Sequence, residues 1–212
     1  MDEVLKKIGE VGIVPVVVLN DPQDAEPLAK ALIDGGLPCA EVTFRTDAAE
    51  ESIRRMTQKY PDLFVGAGTV LTKEQVDRAI GAGAKFIVSP GLNPSVVQYC
   101  IDREITVCPG VCTPSEIEMA LGMGLDTVKF FPAEPSGGLN FIKAIAAPYT
   151  TLKFMPTGGI NAKNVLDYLA YDRILACGGS WMVKGDLIKD GSFDKITELV
   201  KEAAAIVREA RG

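Results

Sequence analysis

Short apolar runs rich in β-branched residues recur along the whole chain and limit its possible folds more than any other feature. Eight such runs begin at residues 13, 39, 63, 85, 105, 126, 152 and 173. Helical patterns of about ten to fifteen residues separate them, which is the βα alternation of a parallel sheet. Eight βα units within 212 residues predict an α/β fold of the (β/α)8 TIM-barrel type, at the small end of its size range.

The residues between the runs support this alternation. Helix-start signals follow directly on strand ends at Asp21-Pro22, Thr72, Asn93-Pro94, Thr113-Pro114 and Asn161. The segment 2–10 predicts a short N-terminal helix that caps one end of the barrel, and the segment 196–210 predicts an amphipathic last helix. We therefore expect a single domain over residues 1–212.

A doubly wound open sheet is the competing architecture. It usually has fewer strands and a glycine-rich phosphate loop directly after the first one. Here the first strand is followed by "NDPQDA", and the glycine-rich turns come late in the chain. The barrel is therefore the expected fold.

The charge balance argues against several classes of partner. A net charge of -6 does not provide the broad cationic surface that nucleic acid or anionic lipid requires. The chain shows no cationic leader and no apolar run of membrane-spanning length. We expect a soluble cytoplasmic protein that binds a small molecule, with no nucleic-acid or membrane partner.

The cysteine and histidine content limits the possible chemistry. The five cysteines lack a paired CxxC framework, which is typical of reduced thiols in a cytosolic protein. Cys108 and Cys112 could bind a metal, but buried or strand-end thiols are the favoured interpretation. The chain has no histidine, so histidine-based triads and histidine-ligated zinc sites are excluded. We expect no metal and no other cofactor.

Charged residues interrupt the second apolar run. In a barrel each strand is buried on both faces, one against the helices and the other in the interior. Ala40, Val42 and Phe44 form an apolar face suited to the helices. Glu41 and Arg45 alternate with them and are therefore expected in the interior.

A lysine stands in the middle of the sixth run, "DTVKFF". The same alternation points Val128 and Phe130 outward and Lys129 inward, toward Glu41 and Arg45. A structural ion-pair network is one explanation. Two buried cations and one carboxylate cannot all be compensated, however, so we expect Lys129 to be an uncharged amine, which is a nucleophile toward carbonyl carbon.

Other lysines serve as a comparison. Lys85 and Lys153 begin their strands, and Lys184 lies in a polar segment after the last strand. We expect all three to be solvated side chains with no chemical role.

Glycine pairs follow the seventh and eighth runs. "PTGGIN" covers 156–161 and "CGGSW" covers 177–181, and Thr157 and Ser180 add hydroxyl groups. Barrels often bind phosphate between these two loops through backbone N–H groups. We therefore expect a phosphate site here. The earlier turn "GAGT", 66–69, is explained at least as well as a tight βα turn.

Seven short motifs stand in order at the ends of successive predicted strands. They are "EVTFRT" at 41–46, "GAGTV" at 66–70, "SPGL" at 89–92, "PGVCTPSE" at 109–116, "VKFFPAE" at 128–134, "PTGGI" at 156–160 and "GGSW" at 178–181. Together they resemble the class I 2-keto-3-deoxy-6-phosphogluconate aldolases, which also act as 4-hydroxy-2-oxoglutarate aldolases, and the likeness covers nearly the whole chain.

The resemblance implies a role for each matching residue. Lys129 would form a Schiff base with the substrate ketone, and Glu41 would move protons. Arg45 and Thr69 would hold the pyruvate carboxylate, with Phe131 packed near the pyruvate. The products would be pyruvate with glyceraldehyde 3-phosphate or glyoxylate.

The resemblance also assigns the phosphate end. The residues implied are Gly158, Gly159, Gly179 and Ser180. In relatives that cleave the galactonate epimer the position of Thr157 tends to be valine, so threonine favours the gluconate substrate. The family further implies a homotrimer.

Two other functions compete with an aldolase. One is a phosphate-binding isomerase or epimerase that uses Glu41 as its base, with Lys129 as an electrostatic stabiliser. The other is a non-catalytic sensor of sugar phosphates. The residues leave open the preferred aldehyde and the oligomeric state.

Overall fold

Parallel strands alternate with helices through residues 2–212, the part of the chain that the computed structural model describes. The strands are β1 (Ile13–Val17), β2 (Cys39–Thr43), β3 (Phe64–Gly68), β4 (Phe86–Val88), β5 (Thr106–Cys108), β6 (Gly110–Val111), β7 (Thr127–Phe130), β8 (Lys153–Pro156) and β9 (Cys177–Gly179). The helices are α1 (Glu3–Val11), α2 (Ala25–Asp34), α3 (Ala49–Lys59), α4 (Lys73–Gly81), α5 (Pro94–Asp102), α6 (Pro114–Gly122), α7 (Gly138–Ala146), α8 (Val165–Leu169), α9 (Gly185–Lys189) and α10 (Phe193–Arg211). Short 3-10 helices cover Pro22–Asp24 and Glu134–Ser136.

The strands form two sheets rather than one closed eight-stranded barrel. A six-stranded sheet has the order β5-β4-β3-β2-β1-β9, and a three-stranded sheet has the order β6-β7-β8. The expected (β/α)8 TIM barrel is therefore wrong for this chain, although the strand pairs are parallel as the alternation predicted.

The two breaks between the sheets have local causes. The fifth predicted run forms β5, which pairs with β4, and Pro109 separates it from β6, which pairs with β7. Proline has no N–H and therefore removes one donor from a hydrogen-bonded ladder. At the other break, β8 and β9 belong to different sheets, and isolated bridges join Phe154 to Ile174 and Thr157 to Gly178.

Most predicted helix starts are confirmed. The side chains of Thr72, Asn93 and Thr113 accept hydrogen bonds from the first turns of α4, α5 and α6. Such caps satisfy N–H groups that have no partner inside the helix. The start predicted at Asn161 is displaced, because α8 begins at Val165.

The buried side chains form two clusters. The larger cluster lies between the strands and the surrounding helices and includes Ala40, Val42, Val128 and Phe130. The smaller one, called here the apolar interior cluster, comprises Leu5, Ile8, Val14, Cys39, Phe64, Phe86, Val88, Cys108, Met155, Leu175 and Ala176. Among residues 2–212, no helix is both long and apolar enough to cross a membrane.

Candidate active site

Two charged side chains from different sheets meet in the interior. Glu41 of β2 and Lys129 of β7 are 0% and 4% exposed, and Lys129 Nζ lies 3.6 Å from Glu41 Oε1. Their strand neighbours Val42 and Val128 belong to the cluster that faces the helices. The period-two alternation of a strand therefore places both charges on the inner face.

The Glu41 carboxylate has an unusual environment. Neither of its oxygens has a hydrogen-bond partner within residues 2–212, although burying an unsatisfied charged group is costly. Gly68 makes the room for it, because a Cβ at that position would overlap Glu41 Oε1. Structural ion pairs usually satisfy their remaining lone pairs, so this pair is better suited to reacting with a ligand than to holding the fold.

Lys129 is held firmly by its backbone. Its N–H donates to the carbonyl of Pro109 at 2.9 Å, and it lies in register with Gly110 and Met155. Its Nζ is 5.2 Å from the centre of the Phe131 ring. The amine is thus fixed between a carboxylate and an aromatic face, at the carboxyl end of β7.

Arg45 lies at the rim of the site. Strand β2 ends at Thr43, so Arg45 is exposed, and its Nε donates to Thr69 Oγ1 at 3.2 Å. Thr69 has a φ of 54°, a left-handed conformation that is rare for a β-branched residue. Within residues 2–212 Arg45 makes no ion pair with Glu41, and it faces solvent as a cation beside a hydroxyl.

The loop after β8 is anchored next to the lysine strand. Thr157 N donates to Phe130 O at 3.0 Å, and Ala133 N donates back to Thr157 O at 2.8 Å. The Thr157 hydroxyl is buried without a partner in the described chain. Gly178 leaves space for it, because a Cβ there would overlap Thr157 Oγ1.

Backbone N–H groups without partners gather in the two glycine loops. Gly158 and Gly159 have φ angles of 101° and 83°, and within residues 2–212 their N–H groups and that of Ser180 donate to no backbone carbonyl. Gly179 lies against Trp181, whose ring a Cβ would overlap. Converging free N–H groups form an anion site.

The two cysteines of the apolar interior cluster, Cys39 and Cys108, do not offer a competing nucleophile. Burial, and then the nearby Glu41 charge, raise the pKa of the Cys108 thiol to about 12, and the same two causes raise the pKa of Cys39. Thiols react as thiolates, so both remain inert at neutral pH. No group of three histidine, cysteine or acidic side chains within the described chain could hold a metal ion.

The structure brings most of the predicted site residues to one end of the strands. Lys129, Glu41 and Phe131 form the interior part, while Arg45 and Thr69 meet at the rim. The glycine loops with Thr157 adjoin the lysine strand. Sequence reasoning missed the room that Gly68 makes for Glu41, for which the second glycine of "GAGT" was the available signal.

Comparison with known proteins agrees with this arrangement. The family model for KDPG and KHG aldolase matches residues 2–199. A 2-dehydro-3-deoxy-phosphogluconate aldolase from Haemophilus influenzae is 48% identical over 206 residues, covering 97% of each chain. One of the same name from Treponema pallidum is 48% identical over 207 residues, covering 98% of this chain and 99% of the relative.

A solved structure shares the architecture. The KDPG aldolase of Legionella pneumophila, with pyruvate captured at low pH as a covalent carbinolamine intermediate, superposes with a TM-score of 0.90. It is 39% identical, and the match covers 93% of this chain and 96% of that one.

Proposed function

The chain belongs to the KDPG and KHG aldolase family, and from this premise we propose how its residues carry out a class I, Schiff-base cleavage. The chain is a lyase that cleaves 2-keto-3-deoxy-6-phosphogluconate (KDPG) to pyruvate and glyceraldehyde 3-phosphate. It also cleaves 4-hydroxy-2-oxoglutarate (KHG) to pyruvate and glyoxylate. The observation that carries the assignment is the buried amine of Lys129, 3.6 Å from the carboxylate of Glu41.

Lys129 and Glu41 begin the reaction by sharing a proton. In a buried pair, moving the proton from the ammonium to the carboxylate removes both charges from a poorly solvated site. The result is a free amine next to a carboxylic acid. The amine adds to the C2 ketone, and its proton moves to the former carbonyl oxygen, giving a carbinolamine.

Glu41 then acts alternately as acid and base. Its proton goes to the carbinolamine hydroxyl, water leaves, and a protonated imine forms. The Glu41 carboxylate next takes the proton of the C4 hydroxyl, directly or through a water molecule. The C3–C4 electron pair moves into the iminium, which yields an aldehyde and an enamine.

The same carboxyl group completes the cycle. Glu41 returns its proton to C3 of the enamine, which forms the imine of pyruvate. Water adds to C2 while Glu41 accepts a proton, and collapse of the carbinolamine frees pyruvate and the Lys129 amine. One acid/base group can serve all these positions, because no hydrogen bond within residues 2–212 occupies its two oxygens.

The two ends of the substrate have separate contacts. The pyruvate carboxylate binds Arg45 and the hydroxyl of Thr69, which already lie together, and Phe131 packs beside the pyruvate. The phosphate binds at the two glycine loops, to Gly158, Gly159, Gly179 and Ser180, of which Gly158, Gly159 and Ser180 have N–H groups that donate to no backbone carbonyl within residues 2–212. Thr157 supports the gluconate configuration, because its partnerless hydroxyl can bond a substrate hydroxyl.

Family membership and the free cysteines also support inferences about the location, the assembly and the cofactor needs of the enzyme. We infer a cytoplasmic protein of one domain, since a central carbon metabolite is the substrate and all five cysteines are free thiols. We also infer a homotrimer that acts in the Entner-Doudoroff pathway, on family resemblance. It needs no metal or other cofactor, because Lys129 itself supplies the electron sink.

Trapping the intermediate tests this proposal. Incubation with pyruvate and borohydride, followed by peptide mass spectrometry, is expected to add a reduced pyruvate group to Lys129. Lys153, a lysine at the opposite strand end, is the internal control and should stay unmodified. An unmodified Lys129 in correctly folded protein would exclude the Schiff base and favour an isomerase or epimerase.

A further inference from the structure

A cleft of about 690 Å³ opens between the two glycine loops at the carboxyl ends of β1, β8 and β9. Its polar and charged wall is formed by Gly159, Asn161, Ser180, Lys184 and Asp186. Gly159 and Ser180 carry N–H groups that donate to no backbone carbonyl within residues 2–212. The cleft is therefore continuous with the phosphate site proposed above.

Lys184 is the cation of this cleft. Its side chain is exposed and forms no ion pair within the described residues. Its backbone carbonyl accepts from Ile188 N at 3.2 Å, which fixes the start of the side chain at the cleft edge. Its exposure is compatible with the solvated role expected from sequence, and the same cleft is lined by Gly159 and Ser180 with their free N–H groups.

A phosphate group needs charge as well as hydrogen bonds. The glycine N–H groups satisfy its oxygens but do not neutralise a charge of nearly two. The protein as a whole adds repulsion, since its net charge is -6, and Asp186 places a carboxylate in the same cleft. A lysine is a common phosphate partner that acts as a point charge.

We propose that Lys184 neutralises the terminal phosphate of the substrate and thereby sets the preference for phosphorylated over unphosphorylated keto acids, a proposal that rests on the aldolase function above. The carboxylate of Asp186 repels the phosphate and so reduces the affinity that Lys184 provides.

Substrate chemistry makes this role selective. In KDPG the phosphate is on C6, two carbons beyond the C4 released as the aldehyde carbon. In KHG the second acidic group is attached directly to C4. A charge in the cleft beyond the glycine loops can therefore act on the first substrate and leaves the second largely unaffected.

Steady-state kinetics of Lys184→Gln on two substrates test the proposal. With KDPG we expect KM to rise about 10- to 100-fold at nearly constant kcat, the size of one lost charge-assisted contact. With 2-keto-3-deoxygluconate, which has the same carbon chain without phosphate, KM should change less than about twofold. Lys184→Arg should restore most of the KDPG affinity.

Matched variants separate this contact from general electrostatics. Lys189→Gln removes the same charge from the far end of α9, outside the cleft, and should leave both KM values unchanged. Asp186→Asn should lower KM for KDPG about two- to threefold. Inorganic phosphate should inhibit the wild type competitively and inhibit Lys184→Gln more weakly.

The outcomes distinguish two kinds of failure. If KM for KDPG is the same in Lys184→Gln and the wild type, or if both substrates lose affinity equally, the role of Lys184 is disproved while the aldolase function stands. If the wild type forms no pyruvate from either keto acid, the aldolase function itself fails.

Discussion

The interior of the protein changes character between the amino ends and the carboxyl ends of its strands. On β2 the inner face runs from Cys39, in the apolar interior cluster, to the charged Glu41. On β3 it runs from Phe64 through Gly66 to Gly68, where glycines make room for Phe86 and Glu41. Two residues along a strand, about 6.6 Å, separate a packed core from a reactive site.

This difference shows how one set of strands serves stability and chemistry together. The amino-end half is filled with apolar side chains, including a stacked pair of Phe64 and Phe86 with ring centres 5.3 Å apart. The carboxyl-end half contains Glu41 and Thr157, whose buried oxygens lack partners in the described chain. Dense packing in the amino-end half can hold strained or unsatisfied groups in place in the carboxyl-end half.

Removing the Lys129 amine should produce the largest loss of activity at the carboxyl-end half while the packed amino-end half keeps the protein folded. Lys129→Met is expected to lower kcat by at least about 10⁴-fold, because the covalent intermediate is lost. The fold should persist, since the methionine fills a similar volume and Glu41 can take up a proton. Pyruvate formation by a coupled assay and circular dichroism measure the two effects. Retained activity would show that Lys129 is an electrostatic group only.

Removing the proton carrier should have the next largest effect. Glu41→Gln is expected to reduce kcat by about 10³-fold, within the range for a positioned acid or base, because the amide cannot exchange protons. Borohydride trapping of pyruvate should still occur, only more slowly, since Lys129 remains. An equal loss of trapping and turnover would instead mean that Glu41 acts only before the covalent step.

Sequence predicted the strands and their inner faces because a period of two is local information. It thereby identified Glu41 and Lys129 as interior charges, although they are 88 positions apart in the chain. The closed barrel was predicted wrongly, because the continuity of a sheet depends on pairing across strands. Pro109 lies between β5 and β6, which belong to different sheets, and the segments around β8 and β9 are joined by isolated bridges rather than by a ladder.

Details of the site also exceeded what sequence could provide. Arg45 was placed with Glu41 by alternation, but β2 ends at Thr43, and Arg45 contacts Thr69, which directly follows the end of β3. The clearance that Gly68 gives to Glu41 is a distance between strands. Such distances follow from register, which one sequence does not reveal.

Truncating a side chain in the amino-end half should lower stability and leave activity almost unchanged, the opposite of the substitutions at Lys129 and Glu41. Ile8 of α1 is fully buried in the apolar interior cluster. Ile8→Ala is expected to lower the free energy of unfolding by about 3 kcal/mol through lost burial and a cavity. Turnover per folded molecule at low temperature should stay within about twofold. A large loss of kcat in a fully folded sample would mean that the two halves are coupled.

The smallest effect should come from a carboxylate that lies at the carboxyl ends of the strands yet has a structural role. Burial raises the pKa of Glu116, but hydrogen bonds from the N–H of Cys112 and from Thr113 outweigh it and lower the pKa overall. A lowered pKa stabilises the folded state above the ordinary glutamate value of about 4.3, and this stabilisation is lost as the pH falls through the lowered value. Glu116→Gln should therefore cost about 1 kcal/mol of unfolding free energy at pH 7, and the difference from wild type should vanish in acid. Denaturant titrations at several pH values measure it, and a difference that persists well below pH 4 would show that lost packing, not charge, sets the cost.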